Sequence, residues 1–104
     1  KAMEMLLTAD MYSAEEALSF GLIGRIVPKG HALAMARQLA QKVAANGPVA
    51  ILKIKEAVQR TECLPEQDAL ALDLQIGMQV MATEDAREGP RAFKEKRAPV
   101  FKGR

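Results

Sequence analysis

The stretch from Pro65 to about Met81 constrains the fold more than any other part of the sequence. At helical spacing, Asp68, Gln75 and Gln79 fall on one narrow polar stripe, and Asp73 stands apart. Leu70, Leu74, Gly77, Met78 and Met81 lie on one side of that stripe; Ala69, Leu72, Ile76 and Val80 lie on the other. A surface helix ordinarily carries a single apolar face, so apolar surface this wide must be covered from more than one direction. In a chain of 104 residues, one of those covers is expected to be another subunit.

The segments around it also read as helices, each with local punctuation. Residues 1–9 are helix formers throughout with no cap before them. They carry no initiator Met, and the chain is expected to be a piece of a longer polypeptide. Ser13 with Glu16 three residues on forms a capping box for a second, short helix, which Gly21 ends. Arg25, Ile26 and Val27 read as a short extended segment, because Val27 is held out of the α region by Pro28.

A third helix over about 31–45 repeats Ala32, Ala36, Leu39, Ala40 and Val43 on one face, which is expected to be buried. Asn46-Gly47-Pro48 stops it and starts a fourth over about 48–60, expected to bury Ile51, Ile54 and Val58. Thr83 caps a sixth helix with Glu84 and Asp85 in its first turn. Gly89-Pro90 is expected to break or re-aim that helix before residues 91–97. The fold class is therefore all-α, about six helices with one extended segment, in a single domain over residues 1–104.

Composition narrows the function. The chain is 49% hydrophobic and 27% charged, the balance of a soluble globular protein, with only 4% aromatic residues to build a core. A location in the cytoplasm is expected. No apolar run approaches the roughly 18 residues of a membrane span. The single Cys63 allows no internal disulfide, and the single His31 allows no histidine metal cluster. Residues 91–104 hold six Lys or Arg against Glu95 and carry +5, whereas residues 1–90 carry −3. That tail is either an anion contact or a solvated basic end. Nucleic acid is not expected as a partner, since only Phe93 and Phe101 interleave with the positive charge.

Acid–base or nucleophilic chemistry has little to work with. Cys63 has no histidine beside it in sequence, and His31 opens a helix where a solvent-facing side chain is the plain reading. Glu15 and Glu16 point about 100° apart on a helix and form no facing pair. There is no phosphate-cradling glycine loop and no nucleophile elbow. No catalytic residue and no metal ligand is assigned.

Three stretches in order resemble the C-terminal part of the crotonase (enoyl-CoA hydratase/isomerase) superfamily. LLTADMYSAEEALSFGLIGRIVP, residues 6–28, is similar to the family's capping Ser-Ala-x-x-Ala followed by Gly-Leu and a hydrophobic segment ending in Pro. Asn46-Gly47-Pro48, with Lys53 in the next helix, is similar to its second helical stretch. TEDAREGPRAFKEKRAPVFKGR, residues 83–104, resembles its closing signature: Glu-Asp, Glu-Gly, Ala-Phe, Glu-Lys-Arg and Pro-x-Phe.

The resemblance implies an acyl-CoA enzyme, most generically an enoyl-CoA hydratase, with coenzyme A present only as part of the substrate and no other cofactor. Members of that family hold the thioester oxygen with two backbone N–H groups and stabilise an enolate-like state. Those groups and the glutamate acid–base residues lie upstream in the family, with no counterpart in residues 1–104. The C-terminal helices are implied to build a trimer or hexamer, and to present Phe93 and Lys96 to the CoA of a neighbouring subunit. The ring would pack on adenine and the ammonium would meet the 3′-phosphate. From the residues alone, Phe93 reads equally as core and Lys96 as solvated. Isomerase, thioester hydrolase and ring-forming synthase chemistry share the signature, and a non-catalytic helical assembly module remains the alternative from another class.

Overall fold

The computed structural model describes residues 1–104 as six α-helices and no strand: α1 (Ala2–Thr8), α2 (Ala14–Ser19), α3 (Ala32–Ala44), α4 (Pro48–Thr61), α5 (Glu66–Met81) and α6 (Glu84–Lys94). The chain divides into two compact units, Lys1–Gln38 and Leu39–Arg104, with α3 beginning in the first and ending in the second. The all-α reading holds. Residues 25–28 carry no regular secondary structure, so the extended segment has no sheet to join.

In the first unit, local chemistry sets both ends of α2. The Ser13 hydroxyl accepts the Glu16 backbone N–H at 3.2 Å, and the Glu16 carboxylate accepts the Ser13 N–H at 2.8 Å, completing the capping box. At the other end Gly21 takes φ +78°, its N–H donating to Leu18 and that of Leu22 to Ala17. This is the paired closure of a Schellman turn, and it needs a residue at ease in the left-handed region. Ala17 is the buried residue of this helix. The rings of Tyr12 and Phe20 meet edge-on, with centroids 5.6 Å apart.

In the second unit α4 and α5 form a helical hairpin, and α6 contacts α5. Asn46 closes α3 by donating its side-chain amide to the Lys42 carbonyl at 2.7 Å, and Pro48 occupies the first turn of α4. One flank of α5 is used as the periodicity predicts: Ile76 is 2% exposed, with Ala69, Leu72 and Val80 half-buried. The opposite flank, Leu70, Leu74, Met78 and Met81, is exposed along its whole length.

Three expectations are corrected. The face of α3 is not buried within residues 1–104: Ala32, Ala36, Leu39, Ala40 and Val43 are all exposed. On α4 the buried residue is Ala57, not Ile54 or Val58, which are exposed, and Ile51 is half-buried. Finally, Gly89-Pro90 does not break the sixth helix, which runs continuously to Lys94. Pro90 forfeits one backbone hydrogen bond, but both helix ends are fixed independently, as follows.

Candidate functional site

The site is built on α6 and the segment after it. Thr83 caps the helix, its hydroxyl accepting the Ala86 N–H at 3.1 Å. Asp85, in the first turn, is only 7% exposed. Its two carboxylate oxygens accept the backbone N–H groups of Lys102 at 2.7 Å and Gly103 at 2.8 Å, while the Asp85 N–H donates to the Arg104 carbonyl. The end of the chain is thereby folded back onto the helix start. Phe101 packs beside Gly47: a side-chain carbon added there would stand 3.6 Å from its ring.

One turn further along, Glu88 holds the same segment at a second point. Its oxygens accept both terminal nitrogens of Arg97, at 2.5 and 3.0 Å, and one of them also takes the Val100 N–H at 2.9 Å. These hydrogen bonds, from Arg97 first and Val100 next, push the Glu88 carboxyl down to about 2. Arg97 is held charged in return, with Glu95 adding a bond to its Nε at 2.6 Å. The basic tail is therefore not simply solvated. Part of its charge is neutralised within the unit, Lys102 and Arg104 also lying 3.8 and 3.5 Å from the Glu84 carboxylate.

The helix itself ends in a second Schellman turn, with the Lys96 N–H donating to Phe93 and the Arg97 N–H to Ala92. Here the left-handed position is occupied by Lys96, at φ +53°, instead of glycine. A residue with a side chain pays roughly 1–2 kcal/mol for that conformation. Ala92, whose carbonyl closes the turn, is 1% exposed.

The side chains of Phe93 and Lys96 take no part in these hydrogen bonds and ion pairs. Phe93 is 87% exposed within residues 1–104. Lys96 makes no ion pair, unlike Arg97 beside it. Both predicted contact residues are thus brought to one end of α6, three residues apart across the turn. The sequence reading passed over Asp85 and Glu88 as site elements. Their signal was present in the spacing of two acidic residues on one helical face, followed by a basic tail.

A cleft of about 260 Å³ on α6 is walled by the charged side chains of Glu84, Asp85, Arg87, Glu88, Arg91 and Lys102. A cleft of about 450 Å³ between the start of α4 and α6 is lined by Ile51, Ile54, Val80 and Phe101 among others, and Asp85 is the only titratable side chain on its wall. No group of three His, Cys, Asp or Glu stands close enough to hold a metal ion, and no helix is long and apolar enough to cross a membrane.

The family model described as enoyl-CoA hydratase/isomerase matches residues 1–104, the whole chain. The chain belongs to the enoyl-CoA hydratase/isomerase family. It is 50% identical over 103 residues to an enoyl-CoA hydratase of Mycobacterium tuberculosis, a match covering 99% of this chain and 39% of that protein. It is 41% identical to a carnitinyl-CoA dehydratase of Salmonella typhi, over 97% of this chain and 40% of the relative. Among solved structures, an enoyl-CoA hydratase/isomerase from Mycobacterium abscessus superposes with a TM-score of 0.93 at 48% identity, covering 99% of this chain and 42% of that one. The chain spans about two-fifths of the length of the relatives it matches. In this chain much of the closing signature folds the tail back: Asp85, Glu88, Ala92 and Arg97 tie it to α6, and Phe101 packs beside Gly47.

Proposed function

We propose that residues 1–104 are the C-terminal helical domain of an acyl-CoA-processing enzyme, an enoyl-CoA hydratase adding water across the double bond of a 2-enoyl-CoA. The chain supplies part of the CoA pocket and contacts between subunits of a trimer or hexamer, and the acid–base groups and thioester-binding N–H groups come from outside it. A cytoplasmic location accords with this reading. The observation that carries it is the exposed Phe93 ring beside a Lys96 ammonium that makes no ion pair, at the end of α6, while Asp85, Glu88 and Arg97 of the same signature are engaged internally. The ring offers a flat apolar face to adenine, and the ammonium offers a point charge to the 3′-phosphate. A lysine at a position where glycine would be unstrained supports a role for its side chain.

The test is made on the full-length enzyme that contains this chain. Hydration is followed by loss of the enoyl-thioester absorbance. Lys96→Ala should raise KM for the CoA thioester by about two- to tenfold with kcat nearly unchanged, because a contact remote from the reacting carbon is made equally in ground and transition states. With 3′-dephospho-CoA thioesters the variant and the parent should behave alike. Equal losses on both substrates would remove Lys96 from the phosphate.

The similarity to a carnitinyl-CoA dehydratase supports a second reading in the same chemical class: removal of water from a hydroxylated acyl-CoA. Because hydration and dehydration are one reversible reaction, the acyl group separates the two readings: kcat/KM is compared for a carnitinyl-CoA and for a simple 3-hydroxyacyl-CoA.

A further inference from the structure

Nothing about Lys96 itself explains why its backbone stays in the left-handed region. A lysine there is strained, and a free helix end would relax it into a right-handed or extended conformation. What opposes relaxation is the next residue. Arg97 gives its backbone N–H to Ala92, closing the turn at 3.0 Å, and its guanidinium reaches back nine residues to Glu88. The pairing is bidentate, a geometry that fixes orientation as well as distance. Glu88 is well placed to anchor it: its side chain is 16% exposed, on the body of α6, and the Val100 N–H holds one oxygen from the far side. Glu95 bonds the remaining edge of the guanidinium, leaving it little freedom to swing.

We infer that Glu88 is a positioning residue for the CoA contact, acting through Arg97 to lock the turn that aims Lys96. The carboxylate touches no substrate in this arrangement. It clamps the residue after the lysine to the helix, so that the ammonium is presented in one direction relative to Phe93. Loosening the clamp frees the turn and spreads the lysine over several orientations, which weakens a point-charge contact without altering the reacting centre. This inference rests on the reading of Lys96 as a 3′-phosphate contact, and the experiment keeps the two apart.

In the full-length enzyme, KM and kcat are measured for Glu88→Gln, Lys96→Ala and the double variant, each with a CoA thioester and its 3′-dephospho counterpart. Glu88→Gln should raise KM for the CoA thioester by about two- to fivefold, with kcat unchanged and little effect on the dephospho substrate. The double variant should be no worse than Lys96→Ala alone, because a clamp without a lysine to aim has nothing left to contribute. Additive losses, or a fall in kcat shared by both substrates, would overturn the positioning role while leaving the lysine's own role standing. If instead Lys96→Ala fails to distinguish the two substrates, the contact itself is lost and the positioning role with it. Should Glu88→Gln fold poorly, Arg97→Gln breaks the bidentate pair but leaves Glu88 its Val100 N–H, and carries the same expectations.

Discussion

Asp85 closes a loop onto Gly103: one carboxylate oxygen takes the Gly103 N–H at 2.8 Å, across eighteen residues, while the other takes the neighbouring Lys102 N–H. A buried carboxylate with both oxygens on backbone donors stabilises a tail that has few apolar residues to hold it. Asp85→Ala removes both acceptors and should cost about 3 kcal/mol, the low end of roughly 1.5–3 per hydrogen bond to a charged group, because Lys102 and Gly103 are exposed to water. Asp85→Asn keeps one acceptor and should cost about half as much. Urea unfolding followed by circular dichroism gives both values. Equal, small losses for the two variants would mean that the tail is held by Phe101 and Glu88 alone.

The contrast between the two Schellman turns gives a paired expectation. Gly21 sits at φ +78° and Lys96 at φ +53°, so the same substitution logic runs in opposite directions. Gly21→Ala should destabilise by about 1 kcal/mol, whereas Lys96→Gly should stabilise by about 1 kcal/mol. The second change should also raise KM for the CoA thioester as Lys96→Ala does, so that a gain in stability accompanies a loss of binding. Denaturant midpoints and KM values on the same variants check both halves. A Lys96→Gly variant that is less stable would show that the lysine stem contributes packing that outweighs the strain.

What was legible in the sequence was local. The capping box of Ser13 and Glu16, the stop at Gly21, the start at Pro48 and the cap at Thr83 each depend on residues within four positions, and each appears where the spacing places it. The apolar faces were identified as surfaces, but their partners were not. Ile54 and Val58 are as apolar as a buried pair, yet Ala57 makes the contact, since periodicity ranks residues by apolarity and not by how closely a neighbour can approach. The Gly89-Pro90 expectation failed for a similar reason. A helix-breaking dipeptide was weighed alone, while Asp85 and Glu88 fix the helix through residues 12 to 18 positions away. Phe93 and Lys96 are implied by the family resemblance; the exposure of the Phe93 ring and the lack of an ion pair at Lys96 depend on how the tail folds back, which local spacing does not specify.

The low titration of Glu88 predicts a specific acid response. Its carboxyl falls from the ordinary value of 4.5 to about 2 in the folded chain, through Arg97 first and the Val100 N–H second. Between those two values the unfolded chain binds a proton that the folded chain does not, so stability drops as pH is lowered. The contribution is complete above about 4.5 and is lost as pH falls through about 2. Glu88→Gln, which cannot titrate, should show a shallower decline over that interval in urea midpoints measured at successive pH values. Parallel curves for the parent and the variant would show that Glu88 titrates normally and that the Arg97 pair is loose in solution.

The exposed flank of α5 is a large uncovered apolar surface. Leu70, Leu74, Met78 and Met81 recur at spacings of four, four and three, forming a continuous apolar ridge, with Leu74 68% and Met78 63% exposed. Covering a Leu or Met side chain contributes about 1.5–3 kcal/mol, so four of them in a row form a substantial drive toward association. The chain should therefore self-associate at micromolar concentration. Leu74→Asp should disperse it, because a carboxylate in the middle of the ridge must be desolvated without a partner, at a cost of several kcal/mol. Gln79→Asp, on the polar stripe of the same helix, adds the same charge outside the ridge and should leave assembly intact. Sedimentation velocity on the three proteins reads the result directly. A monomeric parent chain, or equal dispersal by both substitutions, would show that this flank is not the associating surface and that charge alone controls the behaviour.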